Sequence, residues 1–254
     1  MRKVLILWGL GLLLATNASA QQPSQETPSI YKIPTALLAG EGLDKKVQSD
    51  TSRTVYQKRV YNGTEIAVYM IAIGTGITNE FKSFPMEEFI FWMNGKAVVE
   101  PAGEEAFAVH SGDFFVQAKG FQGKWNFVDI GGLHLELALV AKDRPDATIK
   151  SPITKALVID RDILSGVSKP TNGVIYKGAE LTVNVLTKKE ELEKIRQERM
   201  IHVLNGIVTV TTEDQVEHQF FPGDFFIVTE NFKGKWRSGS LQALRVLEVY
   251  KTKR

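Results

Sequence analysis

The chain has 254 residues, 43% of them hydrophobic and 24% charged, which suits two small globular units of about 100 residues each better than one. It contains no cysteine, so disulfides, thiolate metal sites and cysteine nucleophiles are excluded. Without Arg2 and Lys3 the formal charge of +2 falls to zero, 29 basic residues against 29 acidic ones, and a neutral chain has no electrostatic reason to seek nucleic acid or anionic lipid.

The first element in chain order is a leader. Arg2 and Lys3 precede the apolar run from Val4 to Ala15, which is short for a membrane span, and Ala18-Ser19-Ala20 has the small-x-small form of a cleavage site. Residues 1–20 are expected to be a signal peptide and the protein periplasmic or secreted, with no membrane attachment after cleavage. Residues 21–52 form a polar N-terminal arm, either mobile or laid across a sheet.

Two similar stretches follow. Residues 86–129 align without a gap on residues 197–240, an offset of 111. Asn94-Gly95 falls on Asn205-Gly206, Gly112-Asp113-Phe114-Phe115 on Gly223-Asp224-Phe225-Phe226, and Phe121, Gly123, Lys124 and Trp125 on Phe232, Gly234, Lys235 and Trp236. Upstream, the run from Gly63 resembles the run from Gly178 at an offset of 115, so the first copy carries four extra residues near Gly74-Thr75-Gly76. A duplication accounts for this pattern. The expected units are 53–145 and 153–254, joined by a charged, proline-containing stretch from Ala141 to Pro152.

Each copy reads as β. Short Val-, Ile- and Phe-rich runs alternate with turn residues, so the expected class is all-β, two tandem barrels. The Asn-Gly pairs are expected to close hairpins with positive φ at both residues, and the Gly-Asp pairs to mark a second turn. Lys188 to Met200 is a candidate helix; its counterpart, Asn79 to Glu88, contains Pro85, which argues against a full helix there. Phe89, Phe91 and Met93 alternate with Ile90 and Trp92, so both faces of that strand are apolar. Its outer face is expected to be covered by the other barrel, by the arm or by a second chain, which makes a homodimer one candidate assembly. His110, His134, His202 and His218 stand at no chelating spacing and read as surface or satisfied strand histidines, with His202 on the opposite strand face from Arg199. No nucleophile-elbow, zinc-protease, phosphate-loop or dinucleotide-binding motif appears.

The strand and turn from Glu88 to Gly95 with the run from Gly112 to Trp125, repeated at Gly206 and from Gly223 to Trp236, resemble the cupin superfamily. The similar subgroup includes the ethanolamine-utilisation and ureidoglycine aminohydrolase cupins. The resemblance implies two tandem cupin-type (jelly-roll) barrels in one chain. Metal-binding cupins hold their ion with three histidines and a glutamate. By that resemblance Glu88 stands at the glutamate position, Arg199 replaces it in the second copy, and the last histidine falls on Gly123 and Gly234. No metal, no other cofactor and no catalytic residue is therefore expected.

Trp125 and Trp236 follow those glycines by two residues and are expected to point into the barrels. They read either as core-filling rings or as aromatic walls of small-molecule pockets, with Glu88 and Arg199 as the polar groups. Arg199 would suit a carboxylate or a phosphate. Three functional readings stay open. One is an exported, metal-free two-barrel protein that binds a small polar molecule. The second is a structural or interaction protein with solid barrels and an aromatic interface. The third is a metal-dependent hydrolase like the ureidoglycine aminohydrolases.

Overall fold

Among the described residues, runs of two to nine residues, most of them rich in apolar side chains and broken by turns, form twenty strands that close two β-barrels. The computed structural model describes residues 29–47, 54–142, 155–167, 171–230, 232–239 and 243–253; the leader and most of the linker lie outside the described residues. In chain order the first half contributes β1 (Ile30–Lys32), α1 (Thr35–Leu38), β2 (Asp44–Val47), β3 (Thr54–Asn62), β4 (Ile66–Gly74), β5 (Thr78–Phe81), β6 (Glu88–Asn94), β7 (Lys96–Pro101), β8 (Phe107–His110), β9 (Phe114–Gln117), β10 (Gly123–Phe127) and β11 (Leu133–Ala141). The second half contributes β12 (Leu157–Val158), α2 (Arg161–Ser165), β13 (Gly173–Lys177), β14 (Leu181–Leu186), α3 (Lys189–Lys194), β15 (Arg199–Asn205), β16 (Val208–Thr211), β17 (Glu217–Phe220), β18 (Phe225–Val228), β19 (Lys235–Ser238) and β20 (Arg245–Lys251).

Each barrel pairs a large sheet with a small one. The large sheets run β12-β9-β6-β11-β4-β3-β2 and β1-β18-β15-β20-β14-β13; the small ones run β5-β10-β7-β8 and β17-β16-β19. The outer strand of each large sheet comes from the other half of the chain. The N-terminal arm supplies β1 to the second barrel, with Ile30 opposite Val228. Leu157 and Val158, beyond the linker, pair with Val116 and Phe115 of the first barrel. Ile33 N–H then donates to Phe225 O at 2.9 Å and Ile159 N–H to Phe114 O at 2.8 Å, so the two additions end in the same way.

The two large sheets pack face to face. Phe89, Phe114, Leu137 and Leu139 meet Met200, Phe225, Leu247 and Val249 in one buried cluster that also takes in Ile33 and Ile159. Phe91 lies 5.2 Å from the Phe225 ring, so the aromatic outer face of β6 is covered within the chain. Burying such residues stabilises by about 1.5–3 kcal/mol each.

Two local expectations are revised. The Asn-Gly pairs do not close hairpins, because β6 and β7 lie in different sheets, as do β15 and β16. They turn the chain from the large sheet to the small one. Only the glycines, Gly95 (φ 103°) and Gly206 (φ 80°), take positive φ, while the Asn94 and Asn205 side chains donate to Leu133 O and Ala243 O across the corner. The candidate helix from Lys188 to Met200 is helical only over Lys189–Lys194, because Arg199 and Met200 join β18 and β20 in the large sheet. In the first barrel the corresponding place is taken by β5, paired with β10. The second barrel thus has a short helix where the first has a strand.

Candidate functional site

Strand alternation sends Glu88, Ile90 and Trp92 of β6 into the first barrel, and Arg199, Ile201 and Val203 of β15 into the second. Trp125 is buried in the first barrel among Phe81, Phe84, Trp92, Phe115 and Phe127, with ring centroids 5.4–6.3 Å away. Its indole N–H donates to Gln117 Oε1 at 3.2 Å, and Gln117 is the cross-strand neighbour of Glu88, itself buried. Glu88 and Trp125 therefore share one interior. That interior is packed with rings, and its imidazole is engaged: His134 Nδ1 lies 2.9 Å from Asn94 O and Nε2 2.6 Å from Glu136 Oε2.

The second interior is different. Trp236 meets only Phe226 and Phe232 among described rings, and the Arg199 guanidinium carbon stands 5.5 Å from its indole. Arg199 is 1% exposed. Its guanidinium donates to Ile195 O at 2.6 Å, Leu192 O at 2.7 Å and Gln197 O at 3.3 Å, and its Nε lies 3.3 Å from Glu248 Oε2. These contacts hold the end of α3 over the barrel and leave little of the guanidinium fork to receive an anion.

Three further polar groups complete the cluster. Asn184 Nδ2 donates to Glu248 Oε1 at 2.9 Å and to Tyr250 Oη at 3.1 Å. Burial pushes the Glu248 carboxyl up to about 6, with Arg199 and Asn184 pulling it back and Glu191 of α3 adding to the rise. Burial likewise lowers the Arg199 guanidinium, opposed by Glu248, and raises the Tyr250 hydroxyl. Asn184 Oδ1, Glu191 Oε2 and Glu248 Oε2 are buried and accept no hydrogen bond.

Sequence reasoning singled out Arg199 and Trp236 but missed Asn184, Glu248 and Tyr250. The register shows why they matter. Asn184 opposes Glu248 in the second barrel where Tyr69 opposes Ala138 in the first. Asn184 and Glu248 stand between apolar neighbours in the runs Leu-Thr-Val-Asn-Val-Leu and Arg-Val-Leu-Glu-Val-Tyr, and comparing the copies at those positions would have found them.

Neither interior fits a metal ion of the kind the resemblance brings to mind. Among the described residues no group of three or more His, Cys, Asp or Glu side chains converges. In the second barrel the glutamate position carries a guanidinium.

A family model described as an EutQ-like cupin domain matches residues 74–130 and 191–240, one segment in each barrel. No curated protein matches the sequence. Among solved structures, a putative glyoxylate-induced protein from Pseudomonas aeruginosa is similar over 93% of this chain and 95% of its own, with a TM-score of 0.59 at 13% identity. A protein of unknown function of the DUF861 family from Pseudomonas syringae pv. tomato is similar over 88% and 100%, with a TM-score of 0.54 at 14% identity. A cupin 2 conserved barrel domain protein from Leptotrichia buccalis covers 78% and 89%, with a TM-score of 0.53 at 10% identity. Likeness at such identities carries the fold and not the activity. With an EutQ-like cupin match in each half and structural likeness over both barrels, the chain has the cupin fold, as two tandem barrels in one chain.

Proposed function

We propose that the protein is an exported cupin whose second barrel binds a small polar molecule against Arg199, Trp236, Glu248 and Asn184, without metal chemistry. One observation carries this reading: the buried acceptor Asn184 Oδ1 takes no hydrogen bond among the described residues, and Arg199 Nε and Glu248 Oε2, buried 3.3 Å apart, make an ion pair without a hydrogen bond. Buried polar atoms left that way cost about 1–3 kcal/mol each, so the barrel is better accounted for with a polar guest than without one. A thermal-shift screen with small amines, carboxylates and polyols tests it. A stabilising compound whose effect disappears in Asn184→Leu supports the reading; no stabilisation, or one unchanged in that variant, overturns it. Export is supported by the leader-like residues 1–20, and a mature N-terminus at Gln21 in secreted material is the expected result.

A second reading fits the first barrel. The ring packing around Trp125 favours a solid barrel, with Glu88 and Trp125 serving the fold rather than a ligand. Division of labour between a filled copy and a binding copy reconciles the two.

A further inference from the structure

We infer that α3 is a lid over the second barrel, opening and closing while the rest of the fold stays intact, and that Arg199 is the latch that holds it shut. The two copies differ at this place in how the chain is tied down. In the first barrel the backbone does it. Gly76 N–H donates to Phe127 O at 2.9 Å, Phe127 N–H to Ile77 O at 2.9 Å, Phe84 N–H to Phe121 O at 2.8 Å and Gly120 N–H to Phe84 O at 2.7 Å, and between these bonds β5 pairs with β10. In the second barrel, residues 187–197 make no backbone-to-backbone hydrogen bond to the barrel among the described residues; Glu191 N–H only turns back to Lys188 O at 3.2 Å. Asn79, Phe81 and Phe84 are buried in the first segment, whereas Leu192 alone is buried in the second. Few buried apolar contacts and no shared backbone bonds are the marks of a segment that opens locally.

Side chains hold α3 instead, and the inner ones converge on one residue. Arg199 donates to the carbonyls of Leu192, Ile195 and Gln197, the last turn of the helix and the two residues that follow. The other ties lie nearer the surface: Arg196 to Phe232 O at 2.9 Å, Gln197 to Lys251 O at 2.8 Å, and Asn172 to Glu191 at 2.8 Å. The N-terminal end has no side-chain cap at Lys188, so its first N–H groups look to water. Closure also leaves polar atoms unmet beneath the lid. Asn184 Oδ1 and Glu191 Oε2 accept no hydrogen bond, and Arg199 Nε and Glu248 Oε2 form an ion pair without one. Water admitted on opening satisfies these atoms, which offsets part of what the shut state gains. The inference does not rest on the guest proposed above, because opening is read with no ligand present.

The absence of cysteine makes the test direct, since Leu192→Cys and Phe81→Cys each carry a single buried thiol, one under the lid and one at the matching place in the first barrel. Under native conditions the thiol of Leu192→Cys is expected to react with a thiol reagent roughly tenfold faster or more. Its rate is expected to stay level in dilute urea, because a local opening exposes little surface, while that of Phe81→Cys climbs with global unfolding. Hydrogen exchange of the full chain, read by mass spectrometry, checks the latch without a new thiol. Arg199→Lys keeps a charge beside Glu248 but loses the fork, and is expected to speed exchange roughly threefold or more in residues 187–197 and not in residues 76–84. A Leu192→Cys thiol that reacts no faster than that of Phe81→Cys, or whose rate climbs as steeply with urea, overturns the lid. Exchange in residues 187–197 that is the same in Arg199→Lys and the parent overturns Arg199 as its latch.

Discussion

Glu87 and Glu198, equivalent residues of the two copies, perform the same task in opposite directions. Glu198 accepts from the backbone N–H groups of Thr64, Glu65 and Ile66 and from the Tyr61 hydroxyl, all in the first barrel. Glu87 accepts from the N–H groups of Ala179, Glu180 and Leu181 in the second. In return, the backbone N–H groups of Glu87 and Glu198 donate to the side-chain carboxylates of Glu180 and Glu65. Each barrel therefore caps a turn of the other with charge-assisted bonds, which are roughly twice as strong as neutral ones.

The clamp makes two glycines irreplaceable for reasons of space. A Cβ at Gly63 would collide with the Glu198 carboxylate, and one at Gly178 with that of Glu87. Each carboxylate is tied by several bonds and cannot swing aside without breaking them. Gly63→Ala or Gly178→Ala should cost about 2–4 kcal/mol, the loss of one or two buried charged bonds, measurable as a lower urea midpoint. Alanine at Gly132, where nothing stands within 4 Å, should change stability by less than about 0.5 kcal/mol.

The crossed strands predict that the halves stay together without a covalent link. β1 belongs to the sheet of the second barrel and β12 to that of the first, and the shared apolar cluster lies between them. A protease site inserted at residues 146–150 and cleaved after folding should give two fragments that co-elute as one species of full mass. Ile33 is 1% exposed and sits at the end of the β1 addition, so Ile33→Asp, which buries a charge without a partner, should weaken that association and release separate fragments on dilution.

The duplication, the barrel class and the covered outer face of β6 could be read from residue order, because gapless repeats, alternation and an apolar strand on both faces are local signals. The crossing of the arms could not. Ile33-Pro34-Thr35-Ala36-Leu37-Leu38 and Ile159-Asp160-Arg161-Asp162-Ile163-Leu164 are a third repeated segment, each ending before a glycine of positive φ, Gly40 and Gly166, but only four positions match closely and the polar residues differ. The Asn-Gly corners misled for a physical reason: glycine alone supplies the positive φ, and the asparagine serves through its side chain. For the site, Arg199 and Trp236 came from their place in the repeat. Glu248 and Asn184 stayed hidden because a single polar residue in a strand says nothing of its partner, and the two meet only through the pairing of β14 with β20.

Arg199 and Glu248 should behave as a pair. Removing only the guanidinium, as in Arg199→Met, leaves a fully buried carboxylate beside Asn184 and frees the carbonyls of Leu192 and Ile195. That should cost about 3–5 kcal/mol. Replacing Glu248 as well, by the alanine its counterpart Ala138 carries, should recover a large part of the loss, since an apolar interior is tolerated in the first barrel. Chemical denaturation of both single variants and the double variant measures the coupling; additive losses would mean that Arg199 and Glu248 do not act as a unit.

The seam between the barrels should weaken in acid through His202. Its ring stacks on Phe225 at 4.0 Å and lies 5.2 Å from Phe114 and 5.8 Å from Phe91, and its Nδ1 has no hydrogen-bond partner. Burial lowers its pKa to about 4, although Asp224 pulls the other way. Asp224 is itself paired with Lys32 of β1 at 2.7 Å. A depressed imidazole binds fewer protons folded than unfolded, so stability is complete above the unfolded value near 6.5 and falls as the pH drops toward about 4. The loss amounts to at most about 3 kcal/mol at 1.36 kcal/mol per pH unit. Glu248 works in the opposite sense: its raised pKa makes the folded state take up the extra proton between about 6 and 4.5, which adds stability as the pH falls. The parent protein therefore shows only the difference of the two. His202→Phe removes the acid-labile member while keeping a ring against Phe225, so its stability should rise relative to the parent as the pH is lowered from 7 to 4, and a constant gap between the two proteins over that range would remove His202 from the account.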